Sequence, residues 1–222
     1  PLTSIYCAGN RISDLGPLKG LPLRTLNCGG NPVASLEPLR GMPLATLLCE
    51  CCRVTSLEPL SGMPLTMLNC GGNRIDSLDP VKGMPLTWLG CWGNRIRSLD
   101  PVRGMRLTAL YCDANEIASL APLRGMPLTT LHCNGNRIGT LADLSELPLT
   151  TLHCGGNELC DLEPLRGLRL TIFSCHCNRI KSLAPLKGMP LASLLCGGNQ
   201  LTGIESFIKS TPESMLFDCD TI

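Results

Sequence analysis

Aromatic side chains are nearly absent from this sequence: two Trp, two Tyr and three Phe among 222 residues, or 3%. A core built on stacked rings is thereby excluded, and what is buried must be mostly aliphatic. Net charge is nearly absent too, at +1 from 19 basic and 18 acidic residues, which removes the long-range attraction that nucleic acid or an anionic membrane surface would need. No apolar run approaches the roughly 18 to 20 residues of a membrane-spanning helix, and no basic, apolar, small-residue leader opens the chain. Neither a membrane nor a nucleic-acid partner is expected. Enzyme signatures are missing as well: the sequence has no glycine-rich phosphate loop, no H-R-D or D-F-G, no H-E-x-x-H and no G-x-S-x-G. No catalytic residue and no cofactor is assigned.

What is abundant recurs on a fixed period. Set in rows of 21, residues 1–210 align without a gap in ten rows; the fourth reads PLTMLNCGGNRIDSLDPVKGM and the seventh PLTTLHCNGNRIGTLADLSEL. Counting places within a row, Leu falls at 2, 5 and 15, Cys at 7, Asn at 10, Ile at 12, Pro at 17, Gly at 20 and Met at 21. Apolar places 5 and 7 alternate with variable places 4, 6 and 8, a period of two that marks a short strand with one hidden and one displayed face. An acid or Ala, then Pro, a base and Gly close each row, as in Glu37, Pro38, Arg40 and Gly41. Pro near the start and Gly at the end frame a single helical turn, 3-10 in type. The acid at place 16 and the base at place 19 can pair on this solvated face, for about 0 to 1 kcal/mol.

The row wording L-x-x-L-x-C-x-x-N-x-I resembles the leucine-rich repeat signature L-x-x-L-x-L-x-x-N-x-L, over nearly the whole chain. Its I-x-x-L-x-P-L tail resembles bacterial internalin-type repeats, and P-L-x-G-M-P is similar to repeat regions of large bacterial proteins, including planctomycete kinases. The resemblance implies a repeat solenoid with a curved parallel β-sheet on the concave face and short 3-10 turns and loops on the convex face. It also implies a non-enzymatic module that binds a protein partner. Residues 1–210 are expected to form ten repeats and 211–222 a C-terminal partial strand and cap, because the last coil's apolar face would otherwise meet water. The amino end shows no cap, so more chain is expected ahead of Pro1. Self-stacking through that edge would instead make a structural spacer or fibre.

Three columns read as structural. Nine Asn stand at place 10, with Cys52 in the third row; a buried amide repeated at one strand spacing can bond backbone groups of its own and the next coil. Met42, Met63, Met84, Met105, Met126 and Met189 fill core space at place 21. Ten of the fifteen Cys stand at place 7, about 4.8 Å from one neighbour to the next with side chains parallel. Disulfides need Cβ vectors that face each other, so these thiols are expected to be free. A free buried thiol column suits a reducing compartment, and a cytoplasmic location is expected. The CECC run at 49–52 lacks a second ligand pair nearby and does not read as a zinc site.

The displayed places hold the candidate site. All seven Trp, Tyr and His residues fall at places 4, 6 or 8, and large amphipathic side chains shown in a row suit a binding surface. Rows five to nine give one expected patch: Trp88, Trp92, Tyr111, Asp113, His132, Asn134, His153 and His176. The indoles would supply area, while Tyr111, Asp113 and Asn134 would supply hydrogen bonds. The repeated His-Cys pairs at 132–133 and 153–154 are split across the sheet, since successive strand residues point to opposite faces. They cannot form a catalytic dyad. Three His on successive coils could instead hold a metal, with Asp113 or Cys177 adding a ligand.

Overall fold

The computed structural model describes residues 2–209 and 215–219; the expected cap residues 211–214 and 220–222 lie outside them. Row n of the sequence is one coil, and each coil opens with a three-residue strand. The strands are β1 (Ser4–Tyr6), β2 (Thr25–Asn27), β3 (Thr46–Leu48), β4 (Met67–Asn69), β5 (Trp88–Gly90), β6 (Ala109–Tyr111), β7 (Thr130–His132), β8 (Thr151–His153), β9 (Ile172–Ser174), β10 (Ser193–Leu195) and β11 (Leu216–Asp218). They form one parallel sheet in chain order. From β1 to β10 each residue pairs with the residue 21 positions on, as Ser4 with Thr25 and His132 with His153. The β10–β11 connection is two residues longer, Ser193 facing Leu216, and it contains a short helix, α1 (Glu205–Ile208), whose Phe207 is buried 6.2 Å from Phe217.

The core follows the row pattern. Leu at places 2, 5 and 15, Leu or Val at 18, Ile, Val or Leu at 12 and the place-7 thiols are buried through the middle coils. Phe173 and Phe207 are the aromatic residues among them. Met42, Met63, Met84, Met105 and Met126 are buried as core filler, and Met189 is half-buried. All fifteen cysteines are free, and those at place 7 from Cys28 to Cys196 are buried. Burial pushes the thiols of Cys49, Cys70, Cys91, Cys112, Cys133, Cys154 and Cys175 well above the usual range, so they stay protonated.

The asparagine column reaches backward, not forward. Asn136 Nδ2 donates to the carbonyls of Cys133 and Asn134 in its own coil and of Cys112 in the preceding coil, while its Oδ1 accepts the N–H of Ile117, also in the preceding coil. Coil n+1 therefore completes the turn of coil n, which corrects the direction expected from the sequence. A second ladder was not anticipated. Threonine at place 3 donates from Oγ1 to the place-3 carbonyl one coil earlier, from Thr66 to Thr171.

The convex side is thin, as the composition implies. Nine 3-10 turns of three residues each, eight with Pro second, lie among the described residues. Ser, Thr or Asp two residues before each turn's first N–H accepts it, as Ser35 does for Glu37 at 3.2 Å and Asp161 for Glu163 at 2.9 Å. The charged pairs Glu37–Arg40, Asp100–Arg103 and Glu163–Arg166 form at 2.6 to 2.8 Å, but with both partners more than half exposed water screens them and they add little to stability.

Candidate functional site

Strict register places the displayed side chains of neighbouring coils one above the other. At place 6 the ring of Tyr111 lies 4.6 Å from His132, and His132 lies 4.1 Å from His153 with the two imidazoles only 9° from parallel. Trp88 starts at place 4 of its coil yet joins the same row, 5.1 Å from Tyr111. It gets there by crossing Gly90: a Cβ on that glycine would lie 2.7 Å from the indole. Four half-buried rings thus form a continuous ladder over four coils. Met67 and Ile172, 37% and 40% exposed at place 4 of coils 4 and 9, flank it with further apolar surface, which aromatic and polar residue types alone do not signal.

Trp92 and His176 lie outside that ladder. Both sit at place 8 and lean back over the previous coil, into space that only glycine leaves open. The indole of Trp92 occupies the position where a Cβ on Gly71 would stand, and the imidazole of His176 does the same over Gly155. His176 is fixed there by a 2.8 Å hydrogen bond between Nδ1 and Ser174 Oγ. The sequence carries a signal for this arrangement: Glu50, Trp92 and His176 at place 8 each follow a glycine 21 residues earlier.

Asp113 and Asn134 are tied to each other and to the backbone. Asp113 Oδ1 accepts from the backbone N–H and the side-chain amide of Asn134 at 2.8 and 2.7 Å, and Asn134 Oδ1 accepts the N–H of Gly155 at 2.7 Å. Asn134 is therefore tied to both neighbouring coils through its side chain. Asp113 keeps its second carboxylate oxygen without a protein hydrogen bond among the described residues. The eight expected residues thus resolve into a ring ladder, two place-8 rings and one polar thread.

Burial is the main influence on the two stacked imidazoles and lowers both below the ordinary histidine range. The nearby Asp113 opposes this at both, whereas His132 and His176 add to it at His153. At neutral pH the two stacked imidazoles are uncharged. Parallel stacked rings aim their lone pairs side by side rather than at a common point, and His176 Nδ1 is already engaged. Among the described residues no three His, Cys, Asp or Glu side chains are grouped to hold a metal. His132 and His153 face outward while Cys133 and Cys154 are fully buried behind the sheet, so no Cys–His dyad exists. A depression of about 900 Å³ lies instead at the convex turns of coils 4 to 6, between Lys82, Pro85, Asp100 and Arg106. No helix among the described residues is long and apolar enough to cross a membrane.

No protein-family model matches the sequence, and no curated protein matches it. Solved structures do. An internalin C2 from Listeria monocytogenes superposes with a TM-score of 0.73 at 26% identity, over 81% of this chain and 80% of that one. The functional domain of InlJ from Listeria monocytogenes, described as including a cysteine ladder, gives 0.69 at 28% identity over 99% of this chain, which spans 53% of that one. An internalin InlF from the same species gives 0.63 at 21% identity, over 90% and 75% of the two chains. With its register, its 3-10 turns and its thiol and amide columns, the chain is a leucine-rich-repeat solenoid of the internalin-like kind.

Proposed function

We propose that this chain is a non-enzymatic recognition module that holds a protein partner on its displayed sheet face, across coils 5 to 9. Leucine-rich-repeat domains are generally protein-interaction modules, and the observation that carries the reading here is the ladder of Trp88, Tyr111, His132 and His153, with ring centroids 4.1 to 5.1 Å apart. Folding does not require rings at these places, since coil 3 carries Thr46, Leu48 and Glu50 there. Places 4, 6 and 8 hold no Lys or Arg in any of the ten rows, and their acids are Glu50 and Asp113. Ring faces beside an uncompensated carboxylate favour a partner that presents a basic side chain, each such cation–π contact being worth about 0.5 to 2 kcal/mol.

Pull-down from native lysate with wild type, a Trp88→Ala/Trp92→Ala double variant, Asp113→Asn and the convex Arg103→Ala tests this. The expected result is a prey protein kept by Arg103→Ala, weakened by Asp113→Asn and lost with the double variant. Prey that survives loss of both indoles overturns the reading. Light scattering that grows with concentration in the absence of any prey favours a self-assembling spacer instead.

A further inference from the structure

Net charge is near zero, but the bases are not spread evenly over the coils. At place 11, just past the asparagine column, coils 3, 4 and 5 carry Arg53, Arg74 and Arg95, exposed arginines in successive coils. Each donates its backbone N–H to the place-12 carbonyl one coil earlier: Arg53 to Val33, Arg74 to Val54 and Arg95 to Ile75, at 2.8 to 2.9 Å. They therefore stand in register, about 4.8 Å from one coil to the next. Like charges opposite each other on neighbouring strands repel, and none of the three has an ion pair among the described residues. Asp76, at place 13 beside them, pairs with none of them either. Folding does not demand this column, since place 11 holds Pro32, Glu116, Glu158 and Gln200 in other coils. What completes such a column is visible one coil further on. Glu116 stands at place 11 of coil 6, and its Oε2 accepts from Arg97 of coil 5 at 3.2 Å and from Arg137 of coil 7 at 3.1 Å. One carboxylate thus holds the guanidinium groups of two coils, and coils 3 to 5 supply the guanidiniums without it.

We infer that Arg53, Arg74 and Arg95 dock the acidic face of an α-helix from a protein partner, on a second surface separate from the ring ladder. From the first arginine to the third the column spans about 9.6 Å, two coil spacings. In a helix, carboxylates at i, i+4 and i+7 cover about 10.5 Å, at about 1.5 Å per residue, and lie on one face. Three same-face residues of an extended strand cover about 13 Å. A helix laid along the column thus keeps each carboxylate within about 1 Å of the level of its guanidinium, and a strand does not. Arginine suits this task, because its planar fork of donors matches both oxygens of a carboxylate.

The test is an NMR titration of the full chain, read at the arginine Nε–H signals, with an alanine-rich helical peptide bearing Glu at i, i+4 and i+7. The same peptide with Gln for Glu, a threonine-rich peptide with Glu at i, i+2 and i+4, and duplex DNA are run beside it. At about 50 mM salt, where surface charges are weakly screened, the helical peptide should give saturable shifts at Arg53, Arg74 and Arg95. Shifts at Arg97 and Arg137, which already share Glu116, should be smaller. Arg53→Gln/Arg74→Gln/Arg95→Gln should melt no lower than wild type, since the substitution removes only repulsion, and should bind the peptide about ten-fold more weakly. Trp88→Ala/Trp92→Ala should bind it as wild type does, which separates this surface from the ring ladder. Shifts spread evenly over the exposed arginines, or a response to the Gln peptide, the strand-spaced peptide or DNA equal to that to the helical one, overturns the inference.

Discussion

Coils 3 and 7 bury the same Leu, Val or Ile, and Cys columns, yet they close their turns with different chemistry. In coil 7 the amide of Asn136 donates to three carbonyls at 3.0 to 3.2 Å and accepts the Ile117 N–H at 3.0 Å. In coil 3 the thiol of Cys52 has one proton to give and reaches one carbonyl, at 3.5 Å. The displayed faces differ as well: coil 7 shows His132 and Asn134, and coil 3 shows Leu48 and Glu50. Each hidden amide completes two coils at once, so a change there is felt by its neighbour, whereas a displayed ring such as His132 touches other rings and can change without unpairing a backbone group. Variation at a hidden place is thus the more informative kind, which is why Cys52 stands out more than any single ring.

The largest expected effect tests that asymmetry. Asn136→Ala leaves the buried Ile117 N–H without its acceptor and removes a donor from three carbonyls, and should cost about 3 kcal/mol or more in urea unfolding. Cys52→Asn should act in the opposite sense and stabilise by about 1 kcal/mol, the worth of a completed hydrogen-bond set. Equal and small effects at the two coils would mean that the amide column is decorative.

The sequence alone reveals the coil, the register, the hidden thiols and the amide column, because a 21-residue period repeated ten times over leaves one way to stack them. It does not reveal which coil an amide serves: Asn at place 10 has neighbours on both sides, and only the turn's geometry directs Oδ1 to the coil before. The role of the place-3 threonines is hidden for a related reason, since an exposed Thr on a strand looks like ordinary β-propensity until its Oγ1 is seen on the Thr87 or Thr108 carbonyl. For the candidate site, the choice of faces was legible from alternation. Its internal arrangement was not, because it depends on pairs of residues 21 apart, such as Gly71 with Trp92, rather than on residues taken singly.

Those glycine pairs give an effect of middle size. Gly155→Ala puts a methyl group where the His176 imidazole lies, so the ring must leave and the Ser174 hydrogen bond goes with it. A loss of about 1 to 2 kcal/mol is expected, in the range for forcing an extra methyl into occupied space. Gly139→Ala, with nothing within 4 Å of the new methyl, should be near neutral. Combining Gly155→Ala with His176→Ala should recover most of the loss, and a double-mutant cycle with no coupling would show that the pair is not in contact.

The smallest effect separates the ringed coils from coil 3 by pH. Burial lowers His132 and His153 in the folded chain, so between the folded and unfolded titrations the unfolded chain binds more protons and stability rises with pH. The contribution is complete above the unfolded value of about 6.5 and is lost as pH falls through the folded range. Thermal melts from about pH 7.5 to about pH 5.5 should therefore show a falling melting temperature that His132→Gln/His153→Gln flattens. Asp113 opposes the lowering at both rings, so Asp113→Asn should steepen the fall. Coil 3 carries no histidine, and amide exchange in β3, once corrected for intrinsic rate, should change less with pH than in β7 and β8. An identical pH response in all three strands would mean that the stacked imidazoles titrate as if they were in water, and that the ladder is looser than a 4.1 Å stack.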